Sequence, residues 1–363
     1  MQRTIFTEEH DQFRKMVRDF IEREVAPHRE EWDEMGRPPR EFFRRLGELG
    51  ILGIQVPEEY GGGGESSFKF NTIVFEEVAR AGVSFGSYTV HACLILPYLL
   101  EYATEEQKQR WLPGFADGSI MTAIAMTEPG TGSDLANIAT SAKLSEDGKH
   151  YIINGAKTFI TGGVTADLIL TVCRTSPFDP ENRRGGLSII AVPTDSEGFA
   201  VGRKLDKIGL HQQDTAELSY TDVKVPVENL LGEEGAGFGY LTHNLPQERL
   251  SIALNQVASP RPPSRTRSPT PRNARCSASR SRRSRTPSSC SPSARPRPRP
   301  RVSTSTTASN CSTARNSRSP TRPARSCSAP RSPVASSTSV CSCTAATVTS
   351  PSTRSPGCTP TPA

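Results

Sequence analysis

Residues Gly209–Phe238 read GLHQQDTAELSYTDVKVPVENLLGEEGAGF. Within this stretch Ala216–Val223 favours a short β-strand, and Gly235-Ala236-Gly237 leads out of it into helical periodicity over Phe238–Val257. Upstream, further β-type runs stand at Ile120–Met126, Tyr151–Ile153, Leu168–Val172 and Leu187–Val192, separated by Gly, Asp and Ser turns. Before Ile120 the pattern is helical. Phe13, Val17, Phe20 and Val25 recur three to five apart within Thr7–Trp32, and Thr7 followed by Glu8 and Glu9 marks a capped start. Helices are also predicted over Glu41–Leu49, Phe70–Ala81, Tyr88–Tyr102 and from Thr104 to Gly114, with a flexible turn from Val56 into Gly61–Gly64. The chain therefore reads as α+β, in the order helices, β-structure, helix, with divisions at 1–118, 119–232 and 233–258.

Composition divides the chain once more. All 38 acidic residues and 25 of the 44 Lys and Arg precede Ser259, so that part carries −13 while the whole chain carries +6. The basic balance, which would ordinarily suggest a polyanion partner, belongs to residues 259–363 alone. Cys93 and Cys173 are the two cysteines of the first part, with no CxxC spacing, which predicts a reducing compartment and neither a disulfide framework nor a zinc site. Met1 leads into an amphipathic charged pattern, and no apolar run approaches about 18 residues. The expectation is a cytoplasmic protein without a membrane span and without a bound metal.

Chemistry concentrates in three more strings: MTEPGTGSDL at Met126–Leu135, INGAKTFITGG at Ile153–Gly163 and LPQERLSIA at Leu245–Ala253. In Glu128-Pro129-Gly130-Thr131-Gly132-Ser133, two glycines remove Cβ atoms where a backbone must approach a ligand, and Ser133 offers a hydroxyl. Read alone, this string is a turn, Phe159 is a core aromatic on a strand, and Glu248 is a solvated residue favoured by a helix dipole. His91 reads as a packed or surface histidine, Cys93 and Cys173 as core fillers, and Asp214 and Glu217 as structural.

Together with Gly209–Phe238, in this order and spacing, the strings resemble the acyl-CoA dehydrogenase family, over essentially all of residues 1–258. The resemblance implies an N-terminal helical domain, a middle β-barrel or sandwich domain, and a C-terminal helical domain that is here truncated. It implies FAD as cofactor, with Met126 and Thr127 facing the flavin ring, Gly132 and Ser133 meeting the diphosphate, and Phe159 and Thr161 on the other side of the ring. Many members carry Trp where Phe159 stands; Phe keeps the apolar face and loses the indole donor. It implies Glu248 as the base that removes the proton α to a thioester carbonyl, with Arg249 ordering the site. Acyl-CoA is the implied substrate, an electron-transfer flavoprotein the acceptor, and a homotetramer the intact assembly. An acyl-CoA oxidase is the nearest alternative.

Residues 259–363 form an Arg/Ser/Pro-rich segment with 19 Arg, no Lys, Asp or Glu, and no Leu, Ile, Phe, Tyr, Trp or Met in 105 residues. Nothing in it can build a core, so a disordered tail is expected. Its residues are nearly all encoded with G or C at the second codon position, the signature of a GC-rich gene read one base out of phase. Cys341–Ala363, CSCTAATVTSPSTRSPGCTPTPA, is compatible throughout with a neighbouring frame reading VQLHGGYGYITEYPIARLYTDAR. This expectation of a frame change near Ser259 fails if resequencing finds one uninterrupted frame matching the chain. Loss of the family's last helices predicts a product with weak FAD retention and no tetramer. An RNA-binding Arg/Ser arm is the alternative, disfavoured because no aromatic or repeated Gly residues interleave for base stacking, and no nucleic-acid partner is expected.

Overall fold

The computed structural model describes residues 5–258; the expected disordered tail, residues 259–363, lies outside the described residues. Helix α1 (Glu8–Phe20) begins as anticipated at Thr7, whose backbone N–H donates to His10 Nδ1 at 3.2 Å, with Glu8, Glu9 and Asp11 in the first turn. One continuous helix to Trp32 does not form. A π-helical turn (Ile21–Val25) and a 3-10 turn (Ala26–His28) precede α2 (Arg29–Met35), and Pro27 lies at the break because it has no N–H to give an α-helix. Helices α3 (Arg40–Glu48) and α4 (Lys69–Ala81) follow.

The segment expected as one helix over Tyr88–Tyr102 is likewise a π-helix (Thr89–Ile95) leading into α5 (Leu96–Tyr102), with Pro97 in the first turn of α5. Helix α6 (Glu105–Asp117) runs past the expected stop at Gly114 and ends at Gly118. Gly47 of α3 lies so close to α6 that a Cβ there would stand 2.2 Å from the Asp117 carbonyl. The turn through Gly61–Gly64 is fixed rather than loose: Gly62, Gly63 and Gly64 N–H groups donate to Pro57, Gly53 and Val56 carbonyls.

Eight strands form the sheet: β1 (Thr122–Ala125), β2 (Ser141–Leu144), β3 (His150–Thr161), β4 (Leu168–Arg174), β5 (Leu187–Pro193), β6 (Phe199–Lys204), β7 (Thr215–Pro226) and β8 (Leu230–Leu231). Their order is β6-β7-β3-β2-β4-β5-β8, with β1 parallel to β4. Strand β4 is buried at every position because both its faces are covered. Leu168, Leu170 and Val172 meet α5, α6 and the last helix, whereas Ile169 and Cys173 meet Ile190, Val192, Tyr220 and Val223 inside the curved sheet. A third core, built from α1, α3, α4 and the π-helix, holds the N-terminal helices together and reaches Leu254. The last helix, α7 (Gly237–Ala258), thus touches both the sheet and the helical layer, its Leu241 buried in one core and its Leu254 in the other. Among the described residues no helix is long and apolar enough to cross a membrane.

Candidate active site

The strap that follows β1 carries the first group of candidates. Pro129-Gly130 make a tight turn closed by Glu128 N–H to Thr131 O at 2.8 Å and Thr131 N–H to Glu128 O at 3.1 Å. Beyond it Gly132 and Ser133 are exposed, and no atom lies within 4 Å of where a Cβ on Gly130 or Gly132 would sit. The backbone there is open to a ligand.

Strand β3 brings Phe159 and Thr161 alongside this strap. Thr158 N–H donates to Thr127 O at 2.9 Å, so Thr127 and Phe159 are neighbours across the two segments. The pairing of β3 with β7 slips between Lys157 and Ile160. Phe159 sits in this bulge with φ +59°, an uncommon conformation for a bulky residue, and the residue is 48% exposed. A large aromatic turned out of a sheet at a strained position makes Phe159 a candidate contact surface. Met126, Thr127 and Thr161 around it are half-buried.

A buried ion pair fastens the arrangement. Lys157 Nζ, with no exposed side-chain surface, donates to Glu128 Oε1 at 2.9 Å and to the Met126 carbonyl at 3.1 Å. The Glu128 carboxylate also accepts from the Ala139 and Thr140 backbone N–H groups at 2.8 and 2.9 Å. Burial pushes Glu128 upward, but Lys157 and these donors outweigh it and hold its carboxyl below the ordinary range. Both residues stood within the quoted strings, yet nothing in the sequence distinguished Lys157 from a solvated strand lysine.

Glu248 lies mid-helix on α7, two residues after Pro246 and not in a first turn. Asn244, Glu248 and Ser251 are all buried, a polar stripe on the face that α7 turns inward. The Glu248 carboxyl accepts a hydrogen bond from the Tyr98 hydroxyl of α5 at 2.9 Å, across 150 positions of sequence. Burial pushes Glu248 up from the usual carboxylate range, opposed by Tyr98 and by the charge of Arg249. The Arg249 side chain itself is exposed. Tyr98, 0% exposed, carried no signal in the sequence, because it looks like any aromatic of a core helix.

Among the described residues, two of the clefts beside α7 adjoin the candidates. One, of about 510 Å³, has walls of mixed character, Leu96, Pro97 and Leu100 with Glu58, Glu101 and Gln247, so they include the chain neighbours of Tyr98 and Glu248. The other, of about 490 Å³, lies between the sheet and α7 and is lined by Ser133, Arg183, Arg184, Phe238 and Thr242. The remaining candidates serve the fold. His91 is stacked on Phe115 and bonded to Thr122 Oγ1 and the Phe115 carbonyl, and burial pulls it down to about 3. Asp214 accepts from Val164 and Thr165 backbone N–H groups. Cys93 and Cys173 are buried.

Two family signatures match the chain: the acyl-CoA dehydrogenase N-terminal domain over residues 7–119 and the acyl-CoA dehydrogenase middle domain over residues 123–223. The long-chain specific acyl-CoA dehydrogenase, mitochondrial, of Sus scrofa is 44% identical over 251 residues, 69% of this chain and 57% of the relative. An acyl-CoA dehydrogenase of Bacillus subtilis is 38% identical over 248 residues, 68% of this chain and 64% of its own. The chain thus spans less than two thirds of these curated relatives. Among solved structures, the acyl-CoA dehydrogenase from Geobacillus kaustophilus superposes with a TM-score of 0.68 at 47% identity, over 71% of this chain and 67% of that one. Butyryl-CoA dehydrogenase from Megasphaera elsdenii gives 0.64 at 31% identity, over 71% and 67%. By sequence signature, by overall identity and by three-dimensional likeness, this chain belongs to the acyl-CoA dehydrogenase family.

Proposed function

We propose that the protein is built for α,β-dehydrogenation of an acyl-CoA thioester to the trans-2-enoyl-CoA, with FAD as cofactor and an electron-transfer flavoprotein as acceptor. The observation that carries this reading is Glu248: a buried carboxyl, pushed up by desolvation and held by one neutral hydroxyl donor. An unpaired buried carboxylate is costly to keep, and such groups concentrate where proton transfer is needed.

The residues present fit FAD. Phe159 and Thr127 offer a flat, partly apolar face to the ring system, and Met126 and Thr161 border it. Gly132 and Ser133 offer open backbone and a hydroxyl to a diphosphate, a donor set suited to an anion. When bound, FAD supplies the acceptor for the hydride that leaves the β-carbon. Glu248 takes the α-proton, and Arg249 adds a positive charge near it. The cleft beside Pro97 and Gln247 offers Pro57, Leu96, Pro97 and Leu100 to an acyl chain, alongside polar Gln55, Glu58, Ser66 and Glu101. In this reading residues 1–118 and 119–232 supply the helical and sheet walls, and 233–258 supplies the base.

Replacing Glu248 with Gln keeps the shape and removes the base. Bleaching of bound flavin by octanoyl-CoA is then expected to slow by on the order of 10³-fold or more, with flavin content unchanged. Bleaching at the unaltered rate refutes the assignment. Peroxide formed in air, without a flavoprotein acceptor, assigns an acyl-CoA oxidase instead. We further propose that this chain, which matches 57–64% of the length of these curated relatives, retains flavin weakly; a gel-filtration tetramer with stoichiometric FAD contradicts that.

A further inference from the structure

We propose that Tyr98 is a positioning residue for Glu248: its hydroxyl holds one carboxylate oxygen in place, leaving the other oxygen to receive the proton. The inference rests on the reading of Glu248 as the base.

The geometry leaves Tyr98 little else to do. Its ring is enclosed, and its hydroxyl donates to Glu248 Oε1 at 2.9 Å. The bond is made to Oε1 and leaves Glu248 Oε2 outside it. A glutamate side chain has three rotatable bonds, and one anchored oxygen removes most of that freedom before substrate arrives. The same bond favours the carboxylate over the carboxylic acid, because a donor hydroxyl is worth more to the charged form.

No other group on the elements packed against α7 takes this role. Glu76 and Glu77 of α4 are turned to Arg14 and Arg18 of α1, and Arg80 of α4 to Glu77 and Glu22. Lys69, at the start of α4, acts on His10. On the π-helix, His91 is bonded to Thr122 and Phe115, and Cys93 lies in the helical core. Glu101 of α5 faces His243 of α7 at 3.4 Å, and Tyr102 stacks on Tyr240. Strand β5 carries no ionisable residue. Tyr98 and, more remotely, Arg249 are what oppose the burial of Glu248. In the step itself the α-carbon's proton moves to Glu248 Oε2, and the C–H electron pair stays on the substrate, delocalised toward the thioester carbonyl.

The test is a pH titration of the buried carboxyl band by infrared difference spectroscopy on the full 363-residue chain, with Glu248→Gln identifying the band. Tyr98→Phe is expected to move its midpoint upward by about one pH unit. The acid limb of the octanoyl-CoA bleaching rate is expected to move with it, the rate recovering at high pH. A midpoint that stays put, or a loss equal at every pH, overturns the proposal. Should Tyr98→Phe fail to fold, 3-fluorotyrosine at position 98, a stronger donor of nearly the same shape, is expected to lower the midpoint; no movement overturns it equally. If Glu248→Gln still bleaches at the unaltered rate, the reading of Glu248 as base fails, while the titration still reports whether Tyr98 holds it.

Discussion

Glu77 and Glu248 are both buried carboxyls on helices, at 2% and 7% exposure, and the fold treats them oppositely. Glu77 sits between α1 and α4 and accepts from Arg14, Arg18 and Arg80 at 2.8 to 3.1 Å. Burial pushes its carboxyl up, yet the three guanidinium donors prevail and bring it down to about 2. Glu248 has a single neutral donor and stays above the usual range. A carboxylate surrounded by cations is a rivet: it will not accept a proton near neutrality. A carboxylate left with one hydroxyl is poised to accept one. Glu128 is the intermediate case, paired with one buried lysine and two backbone donors.

The largest effect should come from unpairing the intermediate case. Lys157→Met leaves Glu128 buried with its backbone donors alone and is expected to cost roughly 3–5 kcal/mol in urea unfolding, the usual consequence of breaking a buried pair. It also frees the Met126 carbonyl, so flavin content should fall with it. A loss under about 1 kcal/mol would mean that Glu128 is protonated or solvated and that the comparison is wrongly drawn.

Acid should expose the rivet next. The folded value of Glu77 lies below the ordinary glutamate value of 4.5. Its contribution is therefore complete above about pH 4.5 and is lost as pH falls through about 2. Converted, that shift is on the order of 3 kcal/mol. Glu77→Gln should flatten the acid limb of stability against pH in this window, and an unchanged limb would place the acid sensitivity elsewhere.

These carboxyls also show what could be read without coordinates. The order of helices, sheet and helix was legible because β4 and β5, buried on both faces, read as apolar runs, and because Gly235–Gly237 marks the turn into α7. Strand β3 was legible only at Tyr151–Ile153. Beyond Ile153 its register slips twice, and the alternation that announces a strand dissolves where Phe159 is turned outward. Strand β6 left no pattern because every residue after Phe199 is exposed. The π-helical turns at Ile21–Val25 and Thr89–Ile95 keep near-helical spacing, so periodicity did not separate them from α-helix. For the site, the quoted strings carried Glu248, Thr127 and Phe159, but each string names residues within itself. Tyr98 meets Glu248, and Lys157 meets Glu128, only when distant segments are laid side by side, a relation one sequence does not encode locally.

The smallest expected effect has the opposite sign and is the sharpest test of the contrast. Glu248→Gln keeps an acceptor for the Tyr98 hydroxyl and removes a charge that the fold does not pair. Because the folded value of Glu248 lies above its unfolded one, the unfolded chain ionises first as pH rises. The wild type therefore loses stability from about pH 4.5 upward until the folded group has also ionised, after which the penalty is constant. The variant escapes that penalty. It should match the wild type in stability well below pH 4.5 and exceed it at pH 8 by on the order of 1 kcal/mol. Glu77→Gln must do the reverse, falling below wild type as pH rises. Two conservative substitutions of the same residue type, measured by the same denaturation series, would then diverge with pH. If both destabilise alike at pH 8, Glu248 is a structural carboxylate like Glu77, and its assignment as the base loses its physical ground.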